Sequence, residues 1–458
     1  MTDSPQYRGS VTYVVLLSLV AALGGLLFGY DTAVVSGAIG FLQQRFELDE
    51  ISKGFAASSA LVGCILGAAC AGTLSDRLGR RTVLLASAVL FTISAIGSAL
   101  PRNLVEFNLA RIIGGVGVGM ASMLSPLYIS EVAPARIRGR LVSVNQFAII
   151  SGMLVVYFVN AWVAGVGDEA WNVARGWRWM FGSETLPAVL FMVLLCFVPE
   201  SPRWLVKQGR TDRAIRVLSR VAGPRQASEQ FAEIEQAIAQ EGGSLAQLLR
   251  PGLRMPLLIG VGLAVLQQVT GINIVLYYAP EIFKSTGLAA RHAINDTVIV
   301  GAVNLAFTLV AIWVVDRVGR KPLLLLASAG MGISLAMLGR AFVRQDFAGK
   351  AVLFWTLAYV ASFAIAMGPV VWVVMAEIFP TRIRGRAMSV ATVCLWVACF
   401  CVSQFFPWML GKLAGHTFYL YAAMCAVAFV FVALFVRETK GKSLEEIESA
   451  WRHESSGL

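Results

Sequence analysis

Twelve apolar stretches, each long enough to cross a lipid bilayer, constrain this chain more than any other feature. A spanning helix needs roughly 20 mostly apolar residues. On that rule the spans are predicted at 11–37, 54–74, 82–100, 104–127, 141–164, 178–198, 255–282, 295–315, 321–341, 350–376, 386–410 and 416–436. Composition agrees: 57% of the 458 residues are hydrophobic and 14% are charged, against about 25% charged in soluble domains. The chain therefore reads as an all-α, polytopic membrane protein whose solvent is largely lipid.

A net charge of +11 does not call for nucleic acid, because excess Lys and Arg on a membrane protein collect in cytoplasmic loops. The connections after spans 2, 4, 8 and 10 carry Arg77/Arg80/Arg81, Arg136/Arg138/Arg140, Arg317/Arg320/Lys321 and Arg382/Arg384/Arg386. This bias makes their face cytoplasmic, and an even number of spans puts both termini there. The residues before the first apolar run are polar and that run has no clear cleavage site, so no secretory signal is expected. The seven cysteines lie in apolar runs and read as small buried hydrophobes without a disulfide framework. The three histidines are scattered, so neither a metal nor a cofactor is expected.

One long polar insert, 199–254, divides the chain into two six-span halves, 1–198 and 255–436, followed by a polar tail, 437–458. The insert places Leu205, Ala214, Leu218, Phe231, Ile234 and Ile238 among charges, a spacing that suits amphipathic helices on the membrane face. The halves repeat. Asp76-Arg77-Leu-Gly79-Arg80-Arg81 after span 2 returns as Asp316-Arg317-Val-Gly319-Arg320-Lys321 after span 8. Glu131-Val-Ala-Pro134-Ala-Arg136-Ile-Arg138-Gly139-Arg140 after span 4 returns as Glu377-Ile-Phe-Pro380-Thr-Arg382-Ile-Arg384-Gly385-Arg386 after span 10. Glu200-Ser-Pro after span 6 is echoed by Glu438-Thr-Lys after span 12. Three matched pairs in the same order indicate duplication, and duplicated halves with a midplane site between them are a transporter architecture.

Two charges stand inside the spans. Asp31 interrupts Leu27-Phe28-Gly-Tyr-Asp31-Thr-Ala, and Arg111 opens Arg111-Ile-Ile-Gly114-Gly115-Val-Gly117-Val-Gly119. A charge at that depth costs about 2.5–3.5 kcal/mol and tends to face a cavity or a partner. The alternative readings are an interfacial Asp31 and an Arg111 that braces the lipid headgroups. The glycines after Arg111 suit close helix packing.

The chain resembles the sugar porter family of the major facilitator superfamily, and is closest to its bacterial sugar–proton symporters such as those for xylose. The specific matches are Pro199-Glu-Ser-Pro-Arg203, Gln267-Gln268-Val-Thr-Gly271-Ile-Asn273-Ile-Val-Leu-Tyr277-Tyr278 and Val436-Arg437-Glu438-Thr-Lys-Gly441, with Arg437 where the family usually has proline. The resemblance implies two pseudo-symmetric six-helix bundles of the major facilitator fold joined by an intracellular helical linker. It also implies a multi-pass cell-membrane protein that acts as a monomer and carries a monosaccharide with a proton by alternating access, rather than an enzyme. A passive facilitator and a polyol or inositol porter are the alternatives within transport, and a non-transporting sugar sensor is the alternative outside it.

The same resemblance assigns residues. Gln146, Gln267, Gln268, Asn273, Tyr277, Asn304 and Trp372 would bind the sugar, with Phe28 and Trp396 as apolar walls. Amides suit this task because each offers both donors and an acceptor to hydroxyls. On an ideal helix Gln268 turns roughly 100° away from Gln267, so unwinding near Gly271 is expected to gather these groups. Leu395 stands where the xylose symporters have a glutamine, which removes one amide from the site. Asp31 and Arg111 would form the proton-coupling pair. Asp76, Arg80, Glu131, Arg138, Glu184, Asp316, Arg320, Glu377 and Arg384 would form cytoplasmic charge networks across the two halves that hold the inner side shut.

Overall fold

The computed structural model describes residues 10–240, 254–347, 350–379 and 384–440. Among these residues, 12 helices are long and apolar enough to span a membrane. The first half comprises α1 (Val11–Phe46), α2 (Glu50–Leu78), α3 (Arg80–Ala99), α4 (Leu104–Val132), α5 (Ala135–Ala164) and α6 (Glu169–Leu195). The linker forms α7 (Pro202–Lys207), α8 (Thr211–Ala222) and α9 (Pro224–Gln240). In the second half, α10 (Arg254–Val269) and α11 (Ile272–Lys284) together make one span. It continues with α12 (Ala290–Val318), α13 (Arg320–Arg344), α14 (Ala351–Ile378), α15 (Arg384–Leu413) and α16 (His416–Phe435). The face where α1 begins is also the face that carries the linker. It is called the linker face below, and the opposite one the far face.

Every predicted span is present, and several helices outrun their apolar stretches. The sequence pattern marks the part that needs lipid, whereas caps set where a helix begins. The Asp49 side chain accepts from the Ser52 N–H at the start of α2, and Asn103 accepts from the Glu106 N–H at the start of α4. Both caps lie in the polar margin, beyond the apolar run.

Close packing of α2 on α4 settles the burial of Arg111. A Cβ added at Gly63 or Gly67 would strike the Ile112 and Val116 carbonyls, and one at Gly115 or Gly119 would strike those of Ala60 and Cys64. Small residues thus let the two backbones touch. Arg111 lies one turn before Gly115 on the same helix and is held inside the bundle. The linker helices pack Trp204, Leu205 and Ala214 against Phe231, forming a small apolar cluster of their own. They dock on the linker face, where the Trp204 Nε1–H donates to the Asp76 carbonyl at 3.0 Å.

Candidate functional site

Asp31 is fully buried within α1 rather than at an interface. Arg111 Nη1 donates to its Oδ1 at 2.5 Å, and Arg111 Nη2 donates to its backbone carbonyl at 2.8 Å. Side-chain exposures of 0% and 1% leave the pair no contact with water or lipid. The guanidinium also stands 5.3 Å from the centre of the Phe181 ring.

Glu184, expected among the cytoplasmic charges, lies here instead. Its carboxyl is within hydrogen-bonding reach of Asp31 and feels the charge of Arg111. The physical reason is its place in α6, about eleven residues short of the linker-face end, or roughly 16 Å at 1.5 Å per residue. Neither Glu184 oxygen nor Asp31 Oδ2 receives a protein donor. Two carboxyls therefore lie close to one guanidinium inside the bundle, and that guanidinium is bonded to Asp31.

The amides of the broken span form a chain. α10 ends at Val269, Gly271 takes φ +98°, and α11 starts at Ile272. A left-handed residue here needs glycine, and the resulting break turns Asn273 back toward Gln268. Asn273 Nδ2 donates to Gln268 Oε1 at 2.5 Å, and Gln268 Nε2 donates to Gln267 Oε1 at 3.1 Å. Gln267 Nε2 then donates to the carbonyls of Met367 and Gly368 at 2.7 and 3.0 Å. Those carbonyls are available because α14 widens into a π-helical turn over Phe363–Met367, a distortion that frees backbone groups and recurs at functional sites. Asn273 also reaches Cys399 Sγ on α15 at 3.1 Å.

Around this chain, Tyr277 is buried one turn after Asn273, beside the Cys399 thiol. Phe28 and Trp396 meet edge to face with ring centres 5.5 Å apart, closing the gap between the halves. Trp396 Nε1 is buried without a protein acceptor. Leu395 and Asn304 are buried, while Gln146 on α5 and Trp372 on α14 are half-buried. These four stand outside the hydrogen-bonded amide chain. Cys399 was not singled out from sequence: it sits in an apolar run, and only the fold puts its thiol against an amide.

On the linker face the duplicated motifs build two matching networks. In the first half, Arg80 Nε and Nη2 bind Glu131 at 3.0 and 3.1 Å, and Nη1 binds Asp76 at 3.0 Å. Glu200 accepts from the Arg80 and Arg81 backbone N–H groups at 2.8 and 3.0 Å, and Ser201 donates to Glu131 at 2.5 Å. In the second half, Arg320 binds Glu377 at 3.0 Å, and Glu438 accepts from the Arg320 and Lys321 N–H groups, both at 3.0 Å. Thr439 donates to Glu377 at 2.6 Å.

Glu200 and Glu438 thus cap the N-termini of α3 and α13, where free N–H groups favour an anion. Gly79 and Gly319, at φ +101° and +109°, make room: a Cβ at either would run into the capping carboxylate. The third sequence echo carried this signal, but only the structure shows its purpose. The bonds named here close within one half and its adjoining linker or tail, rather than across the halves as expected. Each arginine follows its own turn, and the nearest glutamate is on the helix packed beside it. Arg138 is exposed, and its Nε donates to the Ala133 carbonyl at 3.4 Å. The side chains of Asp316 and Arg384 lie outside the described residues.

Contacts between the halves are found toward the far face. Ser58 donates to Gln404 Oε1 at 2.9 Å, Gln404 Nε2 donates to the Ile51 carbonyl at 3.0 Å, and the Tyr157 hydroxyl donates to the Leu276 carbonyl at 2.9 Å.

Comparison with known proteins places this architecture. The family model described as sugar (and other) transporter matches residues 17–451. A D-xylose-proton symporter of Escherichia coli K12 is 46% identical, with 98% of each chain covered. An arabinose-proton symporter of Bacillus subtilis is 44% identical over 96% of each. A partially occluded, inward-open structure of the E. coli xylose transporter superposes with a TM-score of 0.86 at 44% identity, covering 94% of this chain and all of that one.

Proposed function

Because the chain belongs to the sugar transporter family, we propose that this multi-pass membrane protein is a proton-coupled monosaccharide symporter that works by alternating access. The observation that carries the reading is the buried Asp31–Arg111 pair with Glu184 beside it, at the centre of a bundle whose other half presents a chain of neutral amides. A facilitator needs the amides but has no use for ionisable carboxyls in a dry pocket, which are expensive to keep there.

The geometry supports a mechanism in which each half supplies one chemistry. Gln267, Gln268 and Asn273 bond to one another. A sugar exchanges those bonds for its own hydroxyls, with Gln146, Asn304, Tyr277 and Trp372 at the margins. Trp396 Nε1 offers a donor, and its ring with that of Phe28 supplies the apolar walls. A proton on the Asp31–Glu184 carboxyls removes the excess negative charge, and the occluded site can then pass through the membrane without a bare carboxylate. The linker-face networks would brace the ends of each bundle as it rocks, with that face cytoplasmic by its arginines, both termini inside and the monomer as the working unit in the cell membrane.

Sugar added to de-energised cells expressing the protein should alkalinise a weakly buffered medium. Uptake of the same sugar without alkalinisation would mean passive transport. A binding screen over pentoses, hexoses and inositols identifies the substrate. Leu395→Gln should reorder that screen, since one amide hydrogen bond is worth about 0.5–1.5 kcal/mol; an unchanged order would remove Leu395 from the specificity argument.

A further inference from the structure

One ion cluster on the far face has no part in the machinery above. Lys53, in the first turn of α2, reaches across to the second half, where its Nζ lies 2.8 Å from Glu281 Oε2 on α11. Lys284 Nζ holds the other oxygen of Glu281 at 3.1 Å and stands 5.5 Å from the centre of the Phe41 ring on α1. Gly40 closes the floor of the cluster: a Cβ there would run into both Glu281 Oε1 and Lys284 Nζ. Side-chain exposures of 9% for Lys53 and 17% for Glu281 make this an enclosed pair. Glu281 also belongs to the short helix that carries Asn273 and Tyr277, and that helix is cut loose from α10 at Gly271. The pair therefore ties the free end of a hinged half-helix to the opposite half.

We infer that Lys53, Glu281 and Lys284 form a charge latch that holds α11 against the first half when the far face is shut, and that the latch sets the balance between far-face-closed and far-face-open states. The inference rests on the alternating-access reading. When the far face opens, Lys53 parts from Glu281 and both charges regain water. Wild type is then balanced, because a buried pair gains by attraction about what it loses in hydration. Removing one partner upsets only the closed state, where a charge stays buried without compensation.

The three groups give an ordering. Glu281→Gln leaves Lys53 and Lys284 facing each other without an anion, which is the worst case for closure. Lys53→Met leaves Glu281 with Lys284, a milder loss. Lys53→Met combined with Glu281→Gln removes both charges of the cross-half pair and leaves Lys284, 24% exposed, free to turn to water. The double variant should therefore resemble wild type more than Glu281→Gln does, a non-additivity that reports direct coupling.

Hydrogen–deuterium exchange of the full-length protein in detergent tests this. Glu281→Gln should raise the ratio of far-face-open to far-face-closed molecules by about tenfold or more. That shift reads as faster exchange in 41–60 and 272–287 together with slower exchange at the linker-face ends of the helices. Lys53→Met should shift it less, and Lys53→Arg, which keeps the charge, should exchange as wild type. Faster far-face exchange with no protection of the linker face would make the cluster a static brace and overturn the latch, as would unchanged exchange in Glu281→Gln or strictly additive effects. A sugar-binding and proton-uptake assay on wild type runs alongside. Its failure would refute the symport reading while leaving the exchange result to decide the latch.

Discussion

Arg80 grips Glu131 while Glu200 caps Arg80 and Arg81; Arg320 grips Glu377 while Glu438 caps Arg320 and Lys321. At their linker-face ends the two halves are nearly the same object. At their centres they share nothing: one has Asp31, Arg111 and Glu184, the other Gln267, Gln268 and Asn273. A brace must meet the same geometric demand in both halves, because each bundle moves against the other. On the proposed symport, the centre meets two different demands. A sugar needs paired donors and acceptors without net charge, and a proton needs a carboxyl whose charge can be switched. Duplication supplied the frame, and divergence divided the chemistry.

The sharpest way to break that division is to remove the switch. One proton moving down 100 mV supplies roughly 2.3 kcal/mol, which supports about a 50-fold sugar gradient. Asp31→Asn should reduce accumulation to equilibration while sugar exchange across vesicles continues. Accumulation that survives in this variant would show that the first half's centre is not the coupling element. Next in size is the amide centre. Gln267→Ala leaves the carbonyls of Met367 and Gly368 and the amide of Gln268 short of a partner, and sugar affinity should fall about tenfold with coupling retained. Calorimetric titration would check it, and an affinity equal to wild type would place the sugar elsewhere.

The ends of the halves differ in degree, and stability should follow. Arg80 is 7% exposed and its Glu131 partner 5%, whereas Arg320 and Glu377 are 13% and 23% exposed. Breaking a buried pair on one side costs about 3–5 kcal/mol, and a charged hydrogen bond nearer solvent about 1.5–3 kcal/mol. Glu131→Gln should therefore lower the Tm more than Glu377→Gln. The reverse order would mean that the second-half network carries the greater share of the bracing.

Much of this was legible in sequence because lipid makes the code simple: a span must be long and apolar, and a charge inside one stands out. Asp31 and Arg111 were found that way. Gly271 was identified as a break because Gln267 and Gln268 cannot share a face on an ideal helix. What escaped were facts of depth and neighbourhood. Glu184 has the same composition around it as an interfacial residue, and only the register of α6 carries it to Asp31. Cys399 and Lys53 look ordinary until the helices are packed together, since their partners, Asn273 in the same half and Glu281 in the opposite one, lie more than a hundred residues away. The echo of Glu200 and Glu438 was visible, but capping a distant helix leaves no local periodicity to read.

The smallest expected effect concerns the acidity of the second-half cap. Burial pushes the Glu438 carboxyl up, but the backbone N–H groups of Arg320, Lys440, Lys321 and Thr439 outweigh this and hold it below the usual 4.5. A carboxyl depressed in the folded state contributes stability that is present above its unfolded pKa and is lost as pH falls through the folded one. The window therefore opens below about pH 4.5 and not near neutrality. Wild type should have a higher Tm than Glu438→Gln at pH 7, and the gap should narrow on acidification toward about pH 3.5 as the wild-type cap takes up its proton. A gap that stays constant across that range would mean that the ionised carboxylate is not what caps α13. The second half would then be braced at Glu377 alone, and the match between the two linker-face ends would be one of shape without a shared charge.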